Sequence, residues 1–277
     1  MSWTLLWIGM LLAAEPDSAL QARFTELMRY ARQAQLATRP LGEVMQALGL
    51  RLRGAPYAAG ILEEGPVETL RTPLDRFDCV LFVESILALA QGVVQGDTTL
   101  AGFRQRVEQL RYRNGRMQGY CSRLHYFTDW IDDNARRGLV RDLTQALGGR
   151  RVRRQIRFMT THRSRYPRLA ADSTWQCIRR VEEELSRRER FMLPHHQIQH
   201  IAEQLQPGDI IAFVAREPTL DVVHVGLVYV DAQGRRGLLH ASPQGGVIVS
   251  PDLQTYVQNN PEQVGIVVAR PLDPRRR

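Results

Sequence analysis

The chain has 277 residues, 44% hydrophobic and 24% charged, which is typical of a folded globular protein and excludes a disordered or fibrous one. Its formal net charge is +8, and all 37 basic residues are arginine. A positive surface favours polyanionic partners. The densest basic run, RRVRRQIR at residues 150–157, has no aromatic residues interleaved for base stacking. We interpret it as the solvated face of a helix and expect no nucleic-acid partner.

The N-terminus is an uncharged apolar stretch over residues 3–14. It is too short to cross a bilayer, which takes about 20 apolar residues, but it suits the core of a signal peptide. Ala13 and Ala14 offer a cleavage point before Glu15. We therefore predict a signal peptide over residues 1–14, export to the periplasm or cell envelope, and membrane contact at most through this segment. A buried or membrane-associated helix is the alternative.

Hydrophobic periodicity predicts helices through the first two thirds of the chain, at residues 17–50, 80–91, 100–110, 128–147 and 174–190. After Pro207, short β-branched runs separated by turn residues predict an antiparallel sheet of about five strands. Helices followed by strands indicate an α+β fold, with helices packed on one face or end of a sheet. We expect one catalytic domain over residues 15–277, with a helical insertion at about 104–193.

Cys79 lies in RFDCVLFVES, where a polar loop runs into an apolar helix. A lone cysteine in such a segment is commonly a core residue. A helix N-terminus, however, favours the thiolate and so lowers the pKa of a cysteine. Asp78 is a suitable N-cap for this helix. The position therefore also suits a nucleophile.

Two histidines interrupt successive predicted strands, His224 in DVVHVGLVYV and His240 in GLLHAS. Neighbouring antiparallel strands can place both imidazoles on one face of the sheet. A nucleophilic cysteine needs a base, and the base needs a third group to orient it. Although a lone histidine in a strand is more often a core residue, the pair together with Cys79 predicts a Cys-His-His triad.

Four motifs in order, GAPYAAG, FDCVLFVES, VVHVGLVYV and LLHASPQGGVIVS, resemble those of the NlpC-type cell-wall cysteine peptidases. The segments SRLHYFTDWIDDN and FMTTHRSRYP make the chain more similar to the N-acetylmuramoyl-L-alanine amidase-like branch. The resemblance runs from about Arg53 to Pro271. It implies a papain-like fold, in which a helix carrying the nucleophile packs on a sheet carrying the histidines.

By position, the resemblance makes Cys79 the nucleophile, His224 the general base and His240 the orienting residue, with Tyr57 lining the catalytic centre. It implies hydrolysis of an amide bond in peptidoglycan stem peptides through a thioester, without a cofactor. The bond would join muramic acid to L-alanine or lie within the peptide. Val80 departs from the peptidases, many of which have a serine there that helps to hold substrate.

The segment SRLHYFTDW offers Arg123, His125 and Asp129 for substrate recognition, since an arginine can bind a carboxylate in a bidentate manner. The alternative is a loop–helix junction held by local hydrogen bonds. His196 and His200 are four residues apart, a spacing that suits a helical metal pair. No third ligand is evident in the sequence, so we predict no metal site.

The chain has three cysteines. If the protein is exported, a Cys121–Cys177 disulfide would leave Cys79 as the free thiol. Asp221 is expected to shape the entry to the strand that carries His224. Two other functions stay open: lipid or acyl-transfer chemistry on the same fold, and a non-catalytic module that binds cell wall.

Overall fold

The computed structural model describes residues 16–276. The helices are α1 (Pro16–Gln33), α2 (Leu41–Arg51), α3 (Cys79–Gln95), α4 (Leu100–Arg111), α5 (Phe127–Arg136), α6 (Phe158–Thr161), α7 (Asp172–Arg187), α8 (Ile198–Ile201) and α9 (Leu253–Gln258). The strands are β1 (Val140–Asp142), β2 (Arg150–Val152), β3 (Arg190–Pro194), β4 (Ile210–Ala215), β5 (Val222–Val230), β6 (Arg236–Ser242), β7 (Gly246–Ser250) and β8 (Gln263–Pro271).

The strands form one eight-stranded sheet in the order β2-β3-β8-β4-β5-β6-β7, with β1 also paired to β8. The α+β class and the antiparallel sheet are therefore confirmed. The prediction of about five strands is wrong, because β1, β2 and β3 come from the region predicted to be a helical insertion. These three strands are three to five residues long and each holds at most one β-branched residue, so the sequence carries little β-branched signal for them.

Two helix predictions are corrected in the same region. The helix predicted over 128–147 ends at Arg136, and Gly138 then takes a left-handed φ of 71° that turns the chain into β1. The basic run 150–157 is not a helix face: it begins as β2, which pairs with β3 at the edge of the sheet. Pairing with β3 satisfies backbone groups that a helix would have satisfied internally.

Helix α3 is the centre of the protein. Its residues from Leu81 to Val94 are all buried. It packs between α2, α4 and the face of the sheet formed by β5 and β6. Helix α9 contacts β6, and Val257 of α9 belongs to a second core cluster together with Phe213 and Leu238. Helix α3 is thus held against the sheet by its contacts with β5 and β6, while α9 belongs to a separate core cluster.

A third, smaller core cluster lies within residues 104–193. It joins Tyr126 of the loop before α5 to Met159 of α6 and to Ile178 and Leu185 of α7. Its buried polar centre is Glu182, which accepts a hydrogen bond from the Tyr126 hydroxyl at 2.6 Å.

None of the helices in the described range 16–276 is both long enough and apolar enough to cross a membrane. The predicted signal peptide lies outside that range.

Candidate active site

Cys79 is the first residue of α3. The Asp78 side chain caps the helix by accepting a hydrogen bond from the Leu81 N–H at 2.7 Å. Just before it, Phe77 forms a bridge to Tyr57, and the Phe77 N–H donates to the Pro56 carbonyl at 3.1 Å. The predicted helix start and its cap are thus present, and the GAPYAAG segment lies beside the cysteine.

The Cys79 thiol lies against the backbone of β5. Burial, reinforced by the neighbouring Asp78 carboxylate, raises the pKa of Cys79 to about 12, against the opposing effect of the Val225 backbone N–H. This outcome differs from the lowered pKa expected of a helix N-terminus, because desolvation of the thiolate outweighs the N–H groups directed at it. Cys79 is therefore a neutral thiol in the free protein.

The two histidines form one hydrogen-bonded unit. His224 Nε2 lies 2.7 Å from His240 Nδ1, and His240 Nε2 lies 3.2 Å from the hydroxyl oxygen of Ser250 in β7. Because His240 occupies Nε2 of His224, the Nδ1 atom of His224 is the one left for proton transfer. His224 directly precedes Val225, whose N–H is directed at the Cys79 sulfur.

Aromatic rings surround the imidazoles. Phe213 stacks on His224 with ring centroids 5.8 Å apart, and Tyr256 of α9 meets His240 edge-on at 5.0 Å. Burial, reinforced by His240, lowers the pKa of His224 to about 3. Burial also lowers the pKa of His240 to about 4. Both rings are neutral near pH 7, and a neutral imidazole is the form that can accept a proton.

The buried pair should make stability depend on pH. In the unfolded chain both histidines titrate near pH 6.5, so below that pH the unfolded state binds protons that the folded state does not. The free energy of unfolding should therefore fall as pH drops from about 6.5 to about 4, by about 1.4 kcal/mol per pH unit for each histidine. Urea unfolding between pH 7 and 4.5 measures this slope. The His224→Gln, His240→Gln double variant should lose the pair's share of the slope, while buried His125, whose pKa is also lowered, keeps its own share. An unchanged slope would contradict the assignment.

The segment that carries Tyr57 is held by the first residues of β7. The Gly54 N–H donates to the Val247 carbonyl, and the Val247 N–H donates to the Ala55 carbonyl at 2.8 Å. A Cβ atom on Gly246 would lie 2.2 Å from the Ala55 carbonyl oxygen, so only glycine allows this close approach. Burial, with smaller effects from Cys79 and Asp78, raises the pKa of Tyr57 to about 12. Its phenol is therefore a proton-bearing donor near the thiol.

A cavity of about 200 Å³ opens beside the start of α3. Asp78 and Val80 line it where they flank Cys79, and Arg123 and His125 line it as well. The rest of its wall comes largely from the 60–63 loop and from Leu124, Tyr126, Phe127, Met159, Tyr166 and Leu220. The structure thus places Arg123 and His125 in the wall of a cavity that the two neighbours of Cys79 along the chain also line.

Both of these residues are also tied into the protein. Arg123 is 4% exposed and forms an ion pair with Glu63, and it donates to the Leu62 carbonyl at 2.8 Å. His125 Nε2 lies 2.8 Å from the Tyr120 carbonyl. Burial, reinforced by Arg123, lowers the pKa of His125 well below its usual range. Arg123 and His125 therefore shape the cavity wall, and the guanidinium is not a free receptor for a carboxylate.

Asp129 does not line this cavity. Its buried carboxylate accepts hydrogen bonds from Arg113 at 3.3 Å and from Arg188 at 3.1 Å. Arg113 also donates to the second carboxylate oxygen at 2.5 Å, so both oxygens have arginine partners, and this geometry favours the structural alternative of a junction held by local hydrogen bonds. Asp221 also has a structural role: it accepts from the Thr128 N–H at 2.9 Å and links the start of α5 to β5.

Two arginines that the sequence did not single out position the cavity loop. Arg111 donates to Glu84 at 2.7 Å and to the Arg71 carbonyl at 2.6 Å. Arg168 donates to the carbonyls of Leu62, Glu64, Gly65 and Val67. In a chain with so many arginines, no sequence signal distinguishes these two, because their partners, the Glu84 carboxylate and several backbone oxygens, lie 27 to 106 residues away along the chain.

The remaining cysteines and histidines lie elsewhere. Cys121 and Cys177 are joined in a disulfide, and Cys79 is the free cysteine of the described chain. His196 and His200 lie in a 3₁₀ turn and in the short α8. Within residues 16–276, no three His, Cys, Asp or Glu side chains are grouped so as to hold a metal ion.

Fold and site together define a class: an α+β protein with a cysteine at a helix start, its thiol against the backbone of β5, and a hydrogen-bonded histidine pair on β5 and β6 of an antiparallel sheet. The model of one protein family, described as N-acetylmuramoyl-L-alanine amidase-like, matches residues 47–266. The chain belongs to this N-acetylmuramoyl-L-alanine amidase-like family. The predicted family is thereby confirmed.

Solved structures agree with this membership. An N-acetylmuramoyl-L-alanine amidase from Bacteroides uniformis ATCC 8492 is 32% identical, with 84% of this chain and 99% of that chain covered and a TM-score of 0.78. A Bacteroides fragilis protein, provisionally named a xylanase, is 34% identical, with coverages of 80% and 98% and a TM-score of 0.74. A Legionella pneumophila str. Philadelphia 1 protein of family DUF1460 is 19% identical, with coverages of 92% and 96%, and shares the fold at a TM-score of 0.68. No curated protein matches the chain significantly.

Proposed function

We propose that the protein is a cysteine-dependent amide hydrolase that acts on the stem peptides of peptidoglycan. The observation that carries the proposal is the position of the Cys79 thiol at the start of α3, against the backbone N–H of Val225, the residue that follows His224. Nε2 of His224 lies 2.7 Å from Nδ1 of His240. Family membership supports amide hydrolysis, and the named relative from Bacteroides uniformis supports the muramoyl-L-alanine bond. The same site favours placing the family among the papain-like, NlpC-type enzymes.

In the proposed reaction the Cys79 sulfur attacks the carbonyl carbon of the amide while Nδ1 of His224 takes the thiol proton. The neutral thiol and neutral imidazole of the free protein suit this coupled transfer. The oxyanion accepts a hydrogen bond from the backbone N–H of Cys79, assisted by the Tyr57 hydroxyl. The C–N bond then breaks, the amine leaves with the proton from His224, and a thioester remains on Cys79.

The second half-reaction returns the thiol. His224 removes a proton from water, the hydroxide oxygen attacks the thioester carbonyl, and the C–S bond breaks. The sulfur regains the proton from His224, and the carboxylic acid is released. His240 fixes the orientation of His224 in both halves, as the third member of related triads does.

We also infer that residues 104–193 act as an insertion that shapes the substrate cavity within one catalytic domain, since Met159 and Tyr166 line its wall. The Cys121–Cys177 disulfide joins the Tyr120–Ser122 turn to α7 within this region. A disulfide is typical of an oxidising compartment. It therefore supports the proposal that the protein is exported to the periplasm or cell envelope.

Mass spectrometry of digested muropeptides tests the proposed function. We expect the wild type to add one water to a defined amide bond, so that the product masses identify whether muramic acid and L-alanine or two residues of the peptide are separated. Xylan serves as the comparison substrate because of the name of the Bacteroides fragilis relative. Release of xylo-oligosaccharides with no cleavage of muropeptides would overturn the proposal.

A further inference from the structure

Ser250 ends β7 and faces the histidine pair. In the ladder of β6 and β7, His240 is opposite Ile248 and Leu238 is opposite Ser250. His240 and Ser250 are therefore diagonal neighbours on one face of the sheet. Their side chains meet, with 3.2 Å between His240 Nε2 and the Ser250 hydroxyl oxygen.

The position of Ser250 is set by its backbone. A Cβ atom on Gly237 would lie 2.4 Å from the Ser250 carbonyl oxygen, so β6 and the end of β7 approach each other more closely than a side chain would allow. The hydroxyl is thereby carried to a fixed place beside His240. It is half-buried, so its own O–H can reach solvent while its oxygen accepts a hydrogen bond.

A neutral imidazole carries one N–H, so each ring in the chain both donates and accepts. If His240 Nε2–H donates to Ser250, then His240 Nδ1 must accept from His224 Nε2–H, and His224 Nδ1 carries a free lone pair. If the Ser250 hydroxyl donates instead, donor and acceptor exchange roles in both hydrogen bonds. His240 Nδ1–H then donates to His224 Nε2, and the proton of His224 lies on its Nδ1. In that reversed state His224 has no lone pair for the Cys79 proton.

We propose that Ser250 is a positioning residue that accepts a hydrogen bond from His240 and so holds His224 in the tautomer that can act as a base. This inference rests on the proposed function and extends the Cys-His-His triad by one residue. Phe213 stacks on His224, Tyr256 meets the His240 ring edge-on, and Cys79 lies near Tyr256. Burial is the cause that lowers the pKa of His240, with no charged side chain contributing to it. The Ser250 hydroxyl is the hydrogen-bond partner at the Nε2 end of His240 within the described residues, so it is the group that can bias the direction of this chain of hydrogen bonds.

Kinetics of Ser250→Ala and Ser250→Thr test the proposal. Alanine should lower kcat about tenfold, the equivalent of one lost neutral hydrogen bond, with KM unchanged because the cavity is untouched. Threonine keeps the hydroxyl and should restore most of kcat. An alanine variant that is folded and has wild-type kcat would overturn the proposal, as would a threonine variant no better than alanine.

Nitrogen-15 NMR of histidine-labelled protein gives a second readout that needs no substrate. In the wild type at pH 7 we expect protons on Nε2 of His224 and Nε2 of His240, assigned by comparison with His224→Gln and His240→Gln. A proton on Nδ1 of His224 in the wild type would overturn the inference even if Ser250→Ala failed to fold. Absence of muropeptide cleavage by the wild type would instead contradict the proposed function and leave the tautomer result standing.

Discussion

Replacing Cys79 by alanine is expected to reduce amide hydrolysis about 10⁴-fold or more, because no thioester can form without the sulfur. The fold should persist, since α3 keeps its Asp78 cap and its buried residues from Leu81 to Val94. The measurement is the initial rate of muropeptide cleavage by variant and wild type at matched protein concentration. Circular dichroism and the urea midpoint report whether the fold is unchanged.

Ser85→Ala is the matched control for Cys79→Ala. Ser85 lies in the same helix and is buried, and its hydroxyl oxygen has no hydrogen-bond partner within the described chain. Removing the hydroxyl should leave the cleavage rate within a factor of about two and should not lower the free energy of unfolding, since a buried polar atom without a partner is replaced by an apolar group. A Cys79→Ala variant that is as active as Ser85→Ala would exclude Cys79 as the nucleophile.

Removing Glu84 should cause the largest loss of stability. Its carboxylate accepts from Arg111 at 2.7 Å and from Trp130 Nε1 at 3.1 Å, and both Glu84 and Arg111 are 1% exposed. Glu84→Ala would leave the Arg111 guanidinium buried without its counter-ion, which costs about 3–5 kcal/mol. Urea unfolding at pH 7 measures the difference.

The exposed pair Arg76–Asp75 provides the comparison for this second prediction. Its side chains are 47% and 65% exposed and only 3.0 Å apart, but solvent screens such pairs and they contribute about 1 kcal/mol or less. Asp75→Ala should therefore change the free energy of unfolding by at most that amount. If Glu84→Ala were no more destabilising than Asp75→Ala, the buried Glu84–Arg111 pair would not stabilise the fold more than an exposed ion pair does.

The parts of the site that could be predicted from the sequence are those with a local physical signal. Asp78 before an apolar run predicts a capped helix start, and the cap is present at 2.7 Å. His224 and His240 each interrupt an apolar strand, and antiparallel pairing places their rings 4.9 Å apart. Both inferences depend on patterns within about ten residues of the side chain concerned.

The parts that could not be predicted depend on distant partners. Arg168 binds carbonyl groups about 100 residues earlier in the chain, and backbone oxygens leave no trace in a side-chain pattern. Asp129 resembled a substrate ligand, but its two arginine partners become visible only in the folded chain. In the sequence, Ser250 is an ordinary polar residue at the end of a strand. Its position beside His240 becomes apparent only once β6 and β7 are paired.

Alkylation of Cys79 followed through time tests the central claim most directly. The wild type is treated with iodoacetamide, and at each time the fraction of Cys79 alkylated is measured by peptide mass spectrometry beside the rate of muropeptide cleavage. With Cys121 and Cys177 joined in a disulfide, Cys79 is the thiol available to the reagent. The account predicts that activity falls in proportion to alkylation of Cys79 and that bound muropeptide slows both. Full activity in protein with Cys79 completely alkylated would contradict it.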